Sequence, residues 1–243
     1  MRKVIIIGAT SGIGLQLAKI YIKNGDKVGA TGRRCYLLDE LKQQFPGNAE
    51  IQCFDVTGPE NIFHLESLIS NLGGMDILIY NSGYGEVSNN LDWKIDKQTT
   101  LTNVNGFVEI VNYAFNYFIK QGKGQIAATS SIAALAPNGH APAYSASKAF
   151  ISMYMEGLFL KIARLKKEKP GIDIQVTDIQ PGFINTKTAK TKVHFWEAPV
   201  EKAAKQIFTG IQKKKRKLYI TRRWIIIAWL LKYVPRVIWK RFA

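Results

Sequence analysis

Seven short apolar runs recur along the chain, at residues 4–7, 28–31, 50–54, 76–80, 125–130, 172–179 and 218–220, each separated from the next by a longer segment of helical spacing. Strands with one wet face alternate apolar and polar residues. Near-continuous apolar runs instead belong to strands covered on both faces, and strands that alternate with helices pair in parallel through right-handed crossovers. The pattern therefore predicts an α/β fold, a doubly wound parallel sheet of about seven strands with helices on both faces. Ligands of such sheets sit at the carboxyl ends of the strands.

A chain of 243 residues is of ordinary length for one α/β domain, and residues 1–243 are read as one. Apolar residues make up 47% and charged residues 21%, which excludes a disordered chain. The opening Met-Arg-Lys leads into an apolar run too short for a secretory segment. With Cys35 and Cys53 as the only cysteines and no ligand spacing between them, free thiols in a reducing cytoplasm are expected. No metal site is expected, since His64, His140 and His194 are scattered.

The first run ends in Gly8-Ala9-Thr10-Ser11-Gly12-Ile13-Gly14, followed by an amphipathic segment. Glycines allow a tight turn and close approach of backbone to a pyrophosphate, while a helix start offers free N–H groups and partial positive charge. In this context, after a strand and before a helix, the turn predicts a Rossmann-type dinucleotide site. The second run ends in Thr31-Gly32-Arg33-Arg34. An acid at this place would hold the 2′-hydroxyl of NAD, whereas guanidiniums suit a 2′-phosphate, so the expected cofactor is NADP(H) rather than NAD(H).

Tyr144 and Lys148 lie one helical turn apart, with Ser131 thirteen residues before the tyrosine. A free phenol has a pKa of about 10, and an ammonium held beside it would lower that value toward neutrality. The spacing alone fits many solvated helix faces. Its context gives it weight.

Taken in order, these motifs resemble the short-chain dehydrogenase/reductase family in its single-domain form. The order is Gly8, Gly12 and Gly14; Asp55-Val56; Asn81-Ser82-Gly83; Asn103 with Gly106; Ser131; Tyr144 with Lys148; and Pro181-Gly182 with Thr186. The resemblance covers the chain to about residue 221. Two departures are Ile7, where the family usually has threonine, and Tyr80-Asn81-Ser82-Gly83 in place of Asn-Asn-Ala-Gly.

The resemblance implies a hydride-transferring oxidoreductase acting on a carbonyl or alcohol. In it Tyr144 is the general acid or base, Ser131 hydrogen-bonds the reacting oxygen, Lys148 tunes the tyrosine and holds the nicotinamide ribose, and Asn103 holds a relay water. Cofactor contacts are implied for Gly8, Thr10, Ser11, Gly12, Ile13, Gly14, Arg33, Arg34, Asp55, Val56, Asn81, Gly83, Tyr144, Lys148, Pro181, Gly182 and Thr186. Relatives are commonly dimers or tetramers, so a homo-oligomer is expected. The alternative is a cofactor-sensing binding protein of the same fold without turnover.

Two segments bear on substrate and partners. Residues 183–199, long and bounded by prolines, are read as a substrate loop. Residues 222–243 interleave tryptophan and tyrosine with arginine and lysine. From Glu201 onward thirteen basic residues face one acid, giving +12 of the chain's net +16. This tail packs over the pocket, on a partner subunit, or on a membrane surface as a peripheral contact. Each reading implies an apolar small-molecule substrate. Nucleic acid is not expected as a partner, because Lys213–Lys217 lacks stacking aromatics on a recognisable module.

Overall fold

A computed structural model describes residues 1–185 and 196–233, the side chains of 231–233 excepted. Seven strands, β1 (Lys3–Ile7), β2 (Lys27–Gly32), β3 (Ala49–Cys53), β4 (Ile77–Tyr80), β5 (Lys123–Thr129), β6 (Asp173–Pro181) and β7 (Lys217–Ile220), form one sheet in the order β3-β2-β1-β4-β5-β6-β7. Every pairing is parallel. The sheet is the doubly wound one expected, and its strands fall on the apolar runs.

Successive side chains of a strand point to opposite faces, and β1 shows why its run is continuous. Val4 and Ile6 enter the core shared with α1 (Gly12–Lys23), α2 (Cys35–Gln44) and α7 (Val200–Gln212). Ile5 and Ile7 enter the opposite core, shared with α3 (Asn61–Leu72), α5 (Gly106–Gln121) and α6 (Pro142–Glu168). All four are fully buried. At about 25 cal/mol per Å² of apolar surface, burial on both faces makes β1 a strand that cannot slip register without exposing both sets.

The chain reverses its direction of winding between β1 and β4, and this crevice is where the strand ends leave room for a ligand. Between β4 and α5 runs α4 (Trp93–Thr100), joined to α5 through a π-helical turn, Leu101–Asn105. The extra residue of such a turn re-aims side chains, and Asn103 sits within it. A short 3₁₀ turn, Ile132–Leu135, follows Ser131, and the described chain closes with α8 (Trp224–Tyr233). No described helix is long and apolar enough to cross a membrane.

The cysteines depart from expectation. Cys35 and Cys53 form a disulfide, with Cα atoms 5.3 Å apart. Free thiols were expected because the two lie 18 residues apart without motif spacing. The β2–β3 register places Gly32 beside Cys53, and the turn into α2 swings Cys35 back over it. The redox argument for a cytoplasmic setting loses its premise. In the chain-entropy picture an 18-residue closure stabilises the fold by about 3 kcal/mol. Thermal unfolding with and without a dithiol reductant should show a lower midpoint on reduction for the wild type and no change for Cys35→Ser; identical wild-type curves would contradict the bridge.

Candidate active site

The site is built from loops that leave the carboxyl ends of six strands. After β1, the turn folds back so that the N–H groups of Gly8 and Ala9 donate to the Thr31 carbonyl at 3.2 and 2.7 Å. Gly8 has φ +87°, and a Cβ there would meet the backbone of Ser82 at 2.8 Å. Ser11 leads into α1 without capping it, and no acid occupies the helix's first turn. The positive end of the helix is thus left for an anion. Ile13 and Gly14 are buried beneath the turn.

At the end of β2, the Arg34 guanidinium donates to Thr10 Oγ1 at 2.7 and 3.2 Å and to Ser11 Oγ at 2.6 Å. Arg33 pairs with Asp55 Oδ2 at 3.5 Å, both side chains well exposed. Such a pair contributes little, and the guanidinium keeps donors to spare. Asp55 Oδ1 accepts from the Thr57 N–H and hydroxyl, both at 3.0 Å, so the carboxylate also shapes the turn after β3. The neighbouring Val56 carbonyl is held by Asn61 Nδ2 at 2.9 Å. Two cations and two hydroxyls converge beside the glycine turn, a donor set that fits a phosphate monoester.

Asn81 ties the two halves of the site together. Its Nδ2 donates to the Gly8 carbonyl at 3.2 Å, and its Oδ1 accepts from Thr129 Oγ1 at 3.0 Å. The Thr129 carbonyl in turn accepts from Lys148 Nζ at 3.0 Å. One hydrogen-bonded chain therefore runs from the phosphate end of the crevice to the buried lysine. Gly83 lies against that lysine: a Cβ there would stand 3.1 Å from Nζ.

Tyr144 and Lys148 share a face of α6, with Nζ 5.7 Å from the phenol ring centroid. Ser131 lies beside the Tyr144 phenol, and its Oγ accepts from the Ala133 N–H at 3.1 Å. Ser130 points the other way. Its hydroxyl donates to Asp178, which also accepts from Ser152 at 2.7 Å and Gln180 at 2.8 Å within the core. The adjacent serines thus separate into one at the tyrosine and one in a buried network.

The electrostatics differ from expectation. Burial pushes the Tyr144 phenol up, opposed in part by the neighbouring Ser131 hydroxyl. The Lys148 ammonium is aimed at the Thr129 carbonyl. A raised phenol stays protonated through the neutral range, as a proton donor must. Burial lowers Lys148 to about 8, partly opposed by the carboxylate of Asp178.

Asn103 is fully buried and fixed on both sides. Its Oδ1 accepts from the Tyr84 N–H at 2.8 Å, and its Nδ2 donates to the Tyr84 carbonyl at 2.7 Å and to Ser147 Oγ at 2.9 Å. Both of its N–H donors are engaged, so the side chain clamps the strand-like segment after β4 beside α6. Gly85 in that segment went unnoticed in the sequence, where it belongs to no motif. A Cβ there would overlap the Tyr144 ring. Pro181 ends β6 and Gly182 follows it beneath Trp224, whereas Thr186 lies outside the described residues.

The lysine supplies a pH test. Between its folded value near 8 and the ordinary 10.5, the unfolded chain holds a proton that the native state has shed, so native stability gains as pH rises through this window. Denaturant unfolding of wild type and Lys148→Met at pH 7.5 and 9.5 should show the wild type gaining relative to the variant at the higher pH. A constant difference would mean that the lysine is not buried as a cation.

Residues 2–196 match the family model for short chain dehydrogenases. A serine 3-dehydrogenase of Agrobacterium fabrum is 34% identical over 191 residues, 75% of this chain and 72% of the relative. An NADP-dependent 3-hydroxy acid dehydrogenase of Escherichia coli is 30% identical over 190 residues, 74% and 72% respectively. The solved closed form of a serine dehydrogenase with NADP+ superposes with a TM-score of 0.77 at 25% identity, over 90% of this chain and 94% of that one. With the glycine turn, the crevice and the match over four-fifths of its length, the chain belongs to the short chain dehydrogenase family of oxidoreductases.

Proposed function

We propose that the protein is an NADP(H)-dependent oxidoreductase that interconverts the carbonyl and alcohol of an apolar, uncharged small molecule, with Tyr144 as general acid in reduction and general base in oxidation. The observation that carries this reading is buried Lys148, its Nζ 5.7 Å from the Tyr144 ring, in a crevice whose far end gathers Arg33, Arg34, Thr10 and Ser11. Relatives named as NADP-dependent and a solved relative bound to NADP+ support the choice of cofactor.

A bound nicotinamide supplies or accepts the hydride. The backbone around Gly8, Gly12, Ile13 and Gly14 would hold the pyrophosphate, Asp55 and Val56 the adenine side, and Asn81, Gly83, Pro181, Gly182 and Thr186 the nicotinamide side. Tyr144 hands its phenolic proton to the carbonyl oxygen, and Ser131 donates a hydrogen bond that stabilises charge developing there. Lys148 carries the positive charge that steadies the phenolate left behind, the moment at which its proximity counts. Asn103 holds the Tyr84 backbone, and through it the wall against which Tyr144 sits, and lies next to the lysine for a relay water.

The substrate side supports a neutral ligand. A recess between residues 86–92 and the start of α6 is lined by Glu86, Asp92, Asp96 and His140, and its carboxylates oppose an acid substrate. Residues 183–199, of which 186–195 lie outside the described residues, are proposed as the substrate loop. Exposed Phe150, Met153 and Leu160 form a stripe on α6 that supports a homodimer or homotetramer. The basic tail favours a cytoplasmic setting with peripheral membrane contact, since the cytoplasmic leaflet is the anionic one.

Two measurements test this reading. Tyr144→Phe should reduce NADPH-dependent turnover of small ketones and aldehydes by at least about a thousandfold while NADPH binding, followed by its fluorescence, stays within about threefold; retained turnover would refute the proton donor. Arg34→Ser should raise the KM for NADPH by about tenfold or more and leave that for NADH nearly unchanged, and an NADH preference in the wild type would refute the cofactor.

A further inference from the structure

Helix α8 has two apolar faces, one buried and one exposed. Trp224 and Ala228, four residues apart, are buried. The Trp224 ring covers Gly182, where a Cβ would overlap it, and meets Phe183 edge-on at 5.5 Å and Trp196 at 6.1 Å. The same helix packs on the 3₁₀ turn that begins directly after Ser131. The inner face of α8 is therefore part of the roof of the reaction cleft.

The outer face is exposed. Ile225 (49%), Ile226 (61%), Trp229 (61%) and Leu230 (47%) recur at i, i+1, i+4 and i+5, which places them on one side of the helix. Phe183, 42% exposed and in contact with Trp224, extends this surface to the cleft. Charge flanks it at the helix start, where Arg222 and Arg223 are exposed and Arg223 donates to the Trp196 carbonyl at 2.6 Å. In sequence, Lys232, Arg236, Lys240 and Arg241 follow Leu231 with no acid among them.

From this we infer that the outer face of α8 docks on an anionic lipid bilayer in the plane of its headgroups, and that the enzyme draws a membrane-dissolved, long-chain carbonyl or alcohol into its cleft beneath the helix. The apolar side chains would enter the acyl boundary while the arginines and lysines meet lipid phosphates. A second copy of the chain is a poor occupant, since it would set one cluster of +12 against another. Spanning is excluded for the described helix by its ten residues, half of what a bilayer core requires. The substrate part rests on the oxidoreductase reading proposed above; the docking part does not.

Flotation with vesicles of phosphatidylcholine alone, and with 30% phosphatidylserine, tests the docking. Wild type should float with the anionic vesicles and be released by 0.5 M salt. Ile226→Asp/Leu230→Asp should bind them at least about tenfold more weakly. The milder Ile226→Ser/Leu230→Ser pair should weaken binding in the same direction with an unchanged unfolding midpoint. Equal flotation of wild type and both variants, or none by the wild type, would overturn the assignment, as would a wild-type dimer in sedimentation that the substitutions dissociate. Turnover is read separately: on a water-soluble diketone the variants should match the wild type, whereas on 2-tridecanone held in anionic vesicles they should fall at least about tenfold. Flotation without turnover of any carbonyl would sink the oxidoreductase reading and leave the docking; equal turnover of vesicle-held ketone by wild type and variants would sink the lipid-substrate inference alone.

Discussion

The parallel pairing of β1 with β2 on one side and β4 on the other is the constraint from which the rest of the molecule follows. Each strand is buried on both faces, so its ladder hydrogen bonds form away from water and its register is locked by two cores at once. Because the winding reverses at this point, the loops after β1 and β4 diverge and leave a crevice. Gly8 and Asn81 stand on its two sides, and the other proposed cofactor residues that are described lie along the same row of strand ends.

Across that crevice the polar groups form a continuous structure rather than a set of separate contacts. Asn81 holds the Gly8 carbonyl and Thr129, and Thr129 holds Lys148. A buried ammonium is costly to maintain, and here it is kept by one backbone carbonyl and the field of Asp178, itself fixed by Ser130, Ser152 and Gln180. The cost has a consequence for chemistry. A cation with little solvent around it acts strongly on any charge that appears beside it, and the phenolate of Tyr144 is such a charge.

At the opposite end the design is looser and more exposed. Arg33 and Arg34 sit on the surface, one against a solvated carboxylate and the other on two hydroxyls. The Cys35–Cys53 bridge staples the loop that carries them to the end of β3, next to Asp55. Fixing that loop before binding reduces the ordering cost of closing two long cationic side chains around a phosphate. The far side of the molecule holds α8, whose inner face completes the cleft while its outer face remains apolar in a strongly basic segment.

Sequence by itself determined the sheet, the glycine turn and the spacing of Tyr144 and Lys148. Strand burial on two faces, a backbone that admits only glycine, and the pitch of a helix are local properties that leave a periodic or compositional trace. Tertiary structure decided what depends on distant segments meeting. The disulfide arose from the β2–β3 register, Gly85 mattered because the Tyr144 ring lies across it, and Asn103 became a clamp because a π-helical turn aimed it at Tyr84. It also set the tyrosine's surroundings: helical spacing puts a lysine on the same face, but only packing shows its ammonium turned to Thr129 and the burial that pushes the phenol up. Proximity along a helix is written in the order of residues, whereas the direction of a charge and the water around it are fixed by the side chains that pack against it.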